Sequence, residues 1–184
     1  MADPRRSYLD SCCFIDLAKQ AIGTLPADRA SSTWYVWKLL EANKDGEIEV
    51  FTSTLTIAEC THADGNIEQR IRDLFIRLLM SGQYTRLVQP TPFIAAAARD
   101  LRWNHDIALR GADYLHVASA LAIGATELLT TDAGMLAQAA KISALGLRVV
   151  APQLTVVLPE HYRQGELLDD KIAVLRQPAA KPAG

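Results

Sequence analysis

Short apolar segments alternate with helical segments along most of this chain, and this alternation constrains the fold more than any other feature. Residues that favour β-structure mark five predicted strands, at 7–10, 47–52, 87–88, 127–130 and 147–151. Apolar residues at helical spacing predict helices directly after the first strand and over 30–43, 54–61, 66–80, 93–103, 112–123 and 134–140. Alternating strands and helices favour a parallel sheet that is covered on both faces. We therefore predict an α/β fold with three layers, α/β/α, around a central, mainly parallel sheet.

The length of 184 residues suits one domain with some chain left over. The alternation ends at residue 151, so we expect one domain over 1–151 and a C-terminal appendage over 152–184. Within the appendage, 154–158 has the pattern of a strand and 166–175 that of a helix. The final residues, QPAAKPAG, have the composition of a disordered tail.

Charge and cysteine content narrow the class of protein. The net charge of −2 argues against a protein that is held on nucleic acid mainly by phosphate contacts. The three cysteines, Cys12, Cys13 and Cys60, are odd in number and lack C-x-x-C spacing, which argues against a disulfide framework and a zinc site. We expect them to be small buried residues in a cytoplasmic protein. The N-terminus does not resemble a signal peptide, and no apolar run is long enough to span a membrane.

Four acidic residues stand where predicted strands end or helices begin, and each has an ordinary structural explanation. Asp10 and Asp132 occupy helix N-cap positions, and Asp113 lies in the first turn of its helix. Glu59 completes the pattern Thr56-x-x-Glu59, which is typical of a capping box. Taken singly, these acids do not require a function.

Taken together, the same four acids indicate a site. Strand ends and helix starts form one edge of a parallel sheet, which is where open α/β sheets bind ligands. Two carboxylates ~5 Å apart repel each other by roughly 3 kcal/mol at an effective dielectric near 20. Such a cluster must bind a cation, pair with a base or take up protons. The nearest basic candidates, Arg110 and Lys19, cannot be placed from the sequence.

The flanking residues resemble the PIN-domain family. The matching stretches are YLDSCCFID, STLTIAEC, GADYLHVASALAIGATELLTTDAGM and LRVVAP, which follow the family's order and cover most of residues 7 to 151. The resemblance implies a ribonuclease that depends on Mg²⁺ or Mn²⁺, similar to the VapC-type toxins of toxin–antitoxin pairs. It implies an RNA substrate and a protein antitoxin. We also expect a homodimer, for which the apolar helices 30–43 and 66–80 are candidate surfaces, with ordinary core packing as the alternative explanation of their apolar faces.

The resemblance also assigns roles to residues. It implies catalytic roles for Asp10, Glu59, Asp113 and Asp132, and we expect Asp10, Asp113 and Asp132 to be the metal ligands. Around them, we expect Ser11 and Thr131 to hydrogen-bond the carboxylates or the substrate. We expect His116, one helical turn after Asp113, to pack between helices or to support the acids.

Three residues depart from the family's pattern. Cys12 replaces a small polar residue, Gly134 replaces a further acid, and Met135 stands where an aromatic residue is frequent. The loss of the acid at position 134 weakens the case for two tightly bound metals. None of these departures removes one of the four acids.

Two other functions fit part of the pattern. The first is a catalytically inactive PIN-like module that binds RNA or another protein. The second is a receiver-like phosphotransfer domain, which needs an acid pair after the first strand and a lysine after the last. Ser11 and Cys12 follow Asp10, and no lysine lies near 147–151, so the sequence disfavours the phosphotransfer domain. The remaining histidines, His62, His105 and His161, have no metal-binding spacing, and we expect them on the surface.

Overall fold

A computed structural model describes residues 5–61, 68–153 and 162 of the chain. Five strands form one parallel sheet with the spatial order β3-β2-β1-β4-β5. The strands are β1 (Arg6–Leu9), β2 (Glu49–Ser53), β3 (Arg86–Val88), β4 (Glu127–Leu129) and β5 (Arg148–Val150). All five lie where the sequence predicts them, and the parallel sheet is confirmed.

Helices connect the strands. They are α1 (Ser11–Ala21), α2 (Ala30–Lys44), α3 (Thr54–Glu59), α4 (Gln69–Phe75), α5 (Pro92–Trp103), α6 (Asp113–Ala122), α7 (Ala133–Ala137) and α8 (Ala139–Ser143). A 3₁₀ turn (Ala27–Arg29) precedes α2, and a π-helical segment (Ile76–Met80) continues α4. The prediction of one helix over 134–140 was incomplete, because α7 ends at Ala137 and the short helix α8 follows after Gln138.

The sheet separates two apolar layers. Neighbouring residues of a strand point to opposite faces, so Leu9 and Leu129 enter one core while Tyr8 and Leu128 enter the other. The first core contains α1, α2, α4 and the π-helical segment, and the second contains α5 and α6. The predicted three-layer α/β/α arrangement is thereby confirmed.

The predicted helices 30–43 and 66–80 bury their apolar faces in the first core. Leu39 and Leu40 on α2 and Leu78 after α4 are at most 1% exposed, while Ile76 and Met80 remain on the surface. His105 is exposed, as expected, whereas His62, His161 and the predicted elements at 154–158 and 166–175 lie outside the described residues. No helix in the described part of the chain is long and apolar enough to cross a membrane.

The pairing of the central strand determines which residues meet at the carboxyl edge of the sheet. β1 pairs with β2 on one side and with β4 on the other, with Leu9 opposite Leu129. The backbone N–H of Asp10 donates to the carbonyl of Leu129 at 3.0 Å. Asp10 therefore lies beside the residues that follow β4, at the start of α1.

Candidate active site

Asp10 is a buried carboxylate that is held from two sides. Only 3% of the residue is exposed. Its Oδ1 accepts the backbone N–H of Ser11 at 2.7 Å, which is the predicted N-cap, and the Ser11 hydroxyl at 3.4 Å. Its Oδ2 accepts the hydroxyl of Thr130 at 2.7 Å and the thiol of Cys12 at 3.1 Å. These contacts fix the carboxylate without neutralising its charge.

Glu59 belongs to a buried network with His116. His116 Nε2 lies 2.8 Å from Glu59 Oε2 and 3.7 Å from Asp10 Oδ1, and its Nδ1 lies 2.9 Å from the Tyr8 hydroxyl. Burial opposes a charged imidazole, but the hydrogen bond to Glu59 and the charges of Asp10 and Glu59 outweigh it and raise the pKa of His116. Burial also opposes the charge of Glu59, and the same histidine outweighs it and lowers the pKa of that carboxyl. His116 thus contacts Glu59 and lies close to Asp10, and a supporting role for it in the site stays a prediction.

The structural explanation for Glu59 was wrong. Ser53 caps α3, since its Oγ accepts the backbone N–H of Leu55 at 3.1 Å. Thr56 is buried and shares a hydrogen bond with Thr52 at 2.7 Å. Glu59 is the last residue of α3, so it cannot close a capping box at the start of that helix.

Asp113 and Asp132 lie on the same side of the site. Asp113 opens α6 and is half-buried. Its pKa is raised, first by burial and then by the negative charges of Asp10 and Asp132. Asp132 caps α7 by accepting the N–H of Met135 at 2.8 Å. The four acids therefore come from four parts of the chain. Asp10 and Asp132 act on Asp113 through their charges, and His116 links Glu59 to Asp10.

The two edges of the sheet differ in how their acids are neutralised. At the strand starts, the buried Glu127 pairs with Arg5 at 2.7 Å and with Arg148 at 2.9 Å, and Glu49 pairs with Arg6 and Arg86. At the carboxyl edge, among the described residues, no lysine or arginine forms an ion pair with Asp10, Glu59, Asp113 or Asp132. His116 is the cationic partner found there, so this edge retains excess negative charge.

The donor atoms of this edge suit a hard cation. They are carboxylate oxygens with nearby hydroxyls, which are the ligands that Mg²⁺ prefers. Within the described ranges, no group of three or more His, Cys, Asp and Glu side chains is arranged to enclose a metal ion. The chemistry of the donors fits a divalent cation that keeps part of its water shell. Metal binding by Asp10, Asp113 and Asp132, either directly or through metal-bound water, stays a prediction.

The structure adds residues that sequence reasoning missed. Thr130, not Thr131, donates to Asp10, and its hydroxyl also accepts the backbone N–H of Asp132 at 3.0 Å. Thr131 instead donates to Asp16 at 3.2 Å, and this buried acid is also paired with Arg29 at 3.2 Å. The sequence feature that could have identified Asp16 is the position of an acid inside an otherwise apolar helical segment.

Two of the three cysteines are buried, as expected from the sequence. Cys13 and Cys60 are buried, and burial raises the pKa of the Cys60 thiol to about 12. Cys12 is only partly buried and touches the site, because its Sγ donates to Asp10 and accepts the N–H of Thr131 at 3.1 Å. The expectation of a buried apolar role is therefore incomplete for Cys12.

The fold and this edge define a three-layer α/β protein with an acidic site where its parallel strands end. Comparison with protein families matches the PIN domain over residues 8–142, and the chain belongs to that family. PIN domains are generally nucleases. A search of the curated proteins found no match.

A solved structure shares the fold. It is the crystal structure of VapBC2 from Rickettsia felis bound to a DNA fragment from their promoter. One of its chains superposes with a TM-score of 0.56 at 13% sequence identity, over 79% of this chain and 98% of that chain. At this identity, the similarity shows the fold alone.

Proposed function

We propose that this protein is a metal-dependent ribonuclease that hydrolyses RNA phosphodiester bonds and acts as the toxin of a toxin–antitoxin pair. One observation carries the proposal. The carboxyl of Asp113 has a raised pKa because it is partly buried near Asp10 and Asp132, at a sheet edge without an arginine or lysine partner for these acids in the described residues. A divalent cation would neutralise this charge.

Asp10 and Asp113 are the proposed direct ligands, with Asp132 and Glu59 holding metal-bound waters. Because Mg²⁺ and Mn²⁺ accept few protein ligands and retain waters, an edge without a complete three-ligand enclosure still suits them. When bound, such a cation activates a water and polarises a phosphoryl oxygen.

The protein's own contribution is to hold these carboxylates in place. Thr130 and Ser11 fix the two oxygens of Asp10, and His116 fixes Glu59 through its Nε2. Fixed outer contacts of this kind orient metal ligands and increase metal affinity. Arg110, which is exposed and lies three residues before α6, is the proposed contact to the RNA phosphates.

The cleavage test uses purified protein and structured cellular RNAs, with Mg²⁺ or Mn²⁺ added. We expect cleavage that EDTA abolishes and that Asp10→Asn lowers by about a hundredfold or more, because the buried carboxylate is replaced by a neutral amide. Asp73→Asn is the matched control, since Asp73 is exposed on α4. Cleavage by Asp10→Asn at the wild-type rate would refute the assignment. A folded wild-type protein that binds RNA but cleaves none would favour the catalytically inactive module.

The proposed setting is a cytoplasmic homodimer with a protein antitoxin. Its support is the family membership and the fold shared with a chain of VapBC2. Expression of the chain alone should slow growth, and co-expression of a small DNA-binding protein encoded beside it should restore growth. Sedimentation of the purified chain at twice its mass of 20.1 kDa would support the dimer.

A further inference from the structure

A cleft of about 480 Å³ lies at the acidic edge, where Asp113 and Asp132 form part of its lining. Arg110 is also among the residues that line the cleft. Ala108, Ala133 and Ala137 contribute small apolar side chains to its walls. Its volume falls within the range of ~300–1,000 Å³ that is usual for small-molecule sites.

Gln138 supplies a hydrogen-bond donor inside this cleft. The backbone N–H of Ala108 donates to the Gln138 side chain at 3.3 Å, so the atom it meets must be the amide oxygen. The amide NH₂ has no acceptor among the described residues. Gln138 is half-buried at the junction of α7 and α8, and its hydrogen bond to Ala108 places its amide at the cleft.

Arg110 contributes a positive charge to the lining of the cleft. Its side chain is exposed and makes no ion pair within the described part of the chain. Most other exposed acids and bases near α5 are paired, including Arg102 and Lys141 with Asp106. Arg110 is therefore available to an anionic group that lies at the acidic edge.

We propose that this cleft is a nucleoside subsite, in which Arg110 contacts a phosphate and the Gln138 amide recognises a keto oxygen of the base. The inference rests on the proposed function, since a phosphate at the acids must place a neighbouring nucleoside nearby. A base is flat and largely apolar on its faces, which suits walls of alanine. The edge of such a base carries a keto oxygen, which can accept the hydrogen bond that the Gln138 NH₂ is free to donate.

Gly134 also bears on the shape of this cleft. A Cβ built at Gly134 would lie 3.0 Å from Asp132 Oδ1, so a larger residue there would require that carboxylate to shift slightly. Gly134 also lines the cleft. The departure from the family's acid at this position therefore leaves both space and less negative charge beside the proposed nucleoside.

The test is a titration of metal-free protein in EDTA with neutral nucleosides, followed by NMR of the alanine methyl groups. Neutral nucleosides avoid repulsion from the acids, and the absence of metal separates binding from cleavage. Uridine should shift the methyl signals of Ala108, Ala133 and Ala137, and adenosine, which has no keto oxygen, should bind more weakly. Gln138→Glu keeps the oxygen that accepts the Ala108 N–H but removes the donor, and should weaken uridine binding about five- to tenfold.

Gln83→Glu adds the same charge at an exposed site and is the matched control. Ala137→Val narrows the cleft from an exposed position and should also weaken binding. Absence of methyl shifts with uridine, or equal affinities for wild type and Gln138→Glu, would overturn the proposal. Shifts with an N-acetyl-arginine amide but not with uridine would also overturn it, in favour of a partner protein's side chain. Because no cleavage is measured, this result is independent of the ribonuclease assay.

Discussion

Replacement of Thr130 by valine removes the hydroxyl that holds Asp10 while keeping the shape of the side chain. The Thr130 hydroxyl is buried and donates to Asp10 Oδ2 at 2.7 Å. It also accepts the backbone N–H of Asp132 at 3.0 Å. Since Asp10 is only 3% exposed, water cannot easily replace the lost donor.

The expected loss of stability follows from these contacts. A hydrogen bond to a charged group contributes about 1.5–3 kcal/mol. The N–H of Asp132 adds little, because Asp132 is exposed and water can reach that part of the chain. Asp10 keeps the Ser11 N–H as a donor. We therefore expect Thr130→Val to lower the free energy of unfolding by about 2–3 kcal/mol in metal-free protein.

Urea unfolding followed by circular dichroism measures this difference, and an unchanged m-value shows that the two proteins unfold alike. Thr126→Val is the matched control, since its hydroxyl is exposed, and its effect should stay within about 0.5 kcal/mol. Asp10→Asn completes a double-mutant cycle, which should give a coupling of about 1–2 kcal/mol. A loss below about 0.5 kcal/mol for Thr130→Val would refute the view that Thr130 holds the buried carboxylate.

Three further predictions concern the metal-free protein. The folded-state pKa of Asp113 is raised by burial and by neighbouring acids, so the ionisation of Asp113 opposes folding as pH rises above about 4. Asp113→Asn should therefore melt at a higher temperature than wild type at pH 7. A lower melting temperature would contradict this. The folded-state pKa of His116 is raised, so the stabilising contribution of its charge is complete below about pH 6.5 and is lost as pH rises through the folded-state pKa. An NMR titration should give the imidazole a midpoint above pH 6.5. A midpoint below that pH would disprove the hydrogen-bonded network with Glu59. Leu128 is fully buried in the central sheet, so Leu128→Ala should lower the free energy of unfolding by about 2–5 kcal/mol in urea, and a loss under 1 kcal/mol would contradict the packing.

The sequence is informative about the sheet because its strands carry strong local signals. β1 and β4 each place adjacent apolar residues in two different cores, which produces a short continuous apolar segment before a polar end. The acids at those ends then fall on one edge for purely topological reasons. Fold class and the positions of Asp10, Asp113 and Asp132 at that edge were predictable on this basis.

Contacts that depend on a single residue of register were not predictable. Thr130 and Thr131 are chemically identical neighbours, and only the geometry at the end of β4 determines that the first reaches Asp10 while the second reaches Asp16. The pattern Thr56-x-x-Glu59 fits a capping box, but the helix begins three residues earlier than that pattern requires, with Ser53 as its cap. Helix boundaries of this kind depend on tertiary packing.

The break between α7 and α8 was missed for a similar reason. Gln138 ends one helix and precedes the next without a glycine or proline to mark the change. The same residue places its amide in the cleft, so a feature without a sequence signal contributes to the proposed subsite.

Binding of Mn²⁺, measured by calorimetry, tests most directly whether the acidic edge is a divalent cation site. Wild-type protein should bind Mn²⁺ competitively with Mg²⁺, and Asp113→Asn should weaken that binding about tenfold or more. Asp73→Asn, which changes an exposed acid on α4, should bind as wild type does. Equal Mn²⁺ affinity for wild type and Asp113→Asn, or no Mn²⁺ binding by folded wild-type protein, would contradict the account.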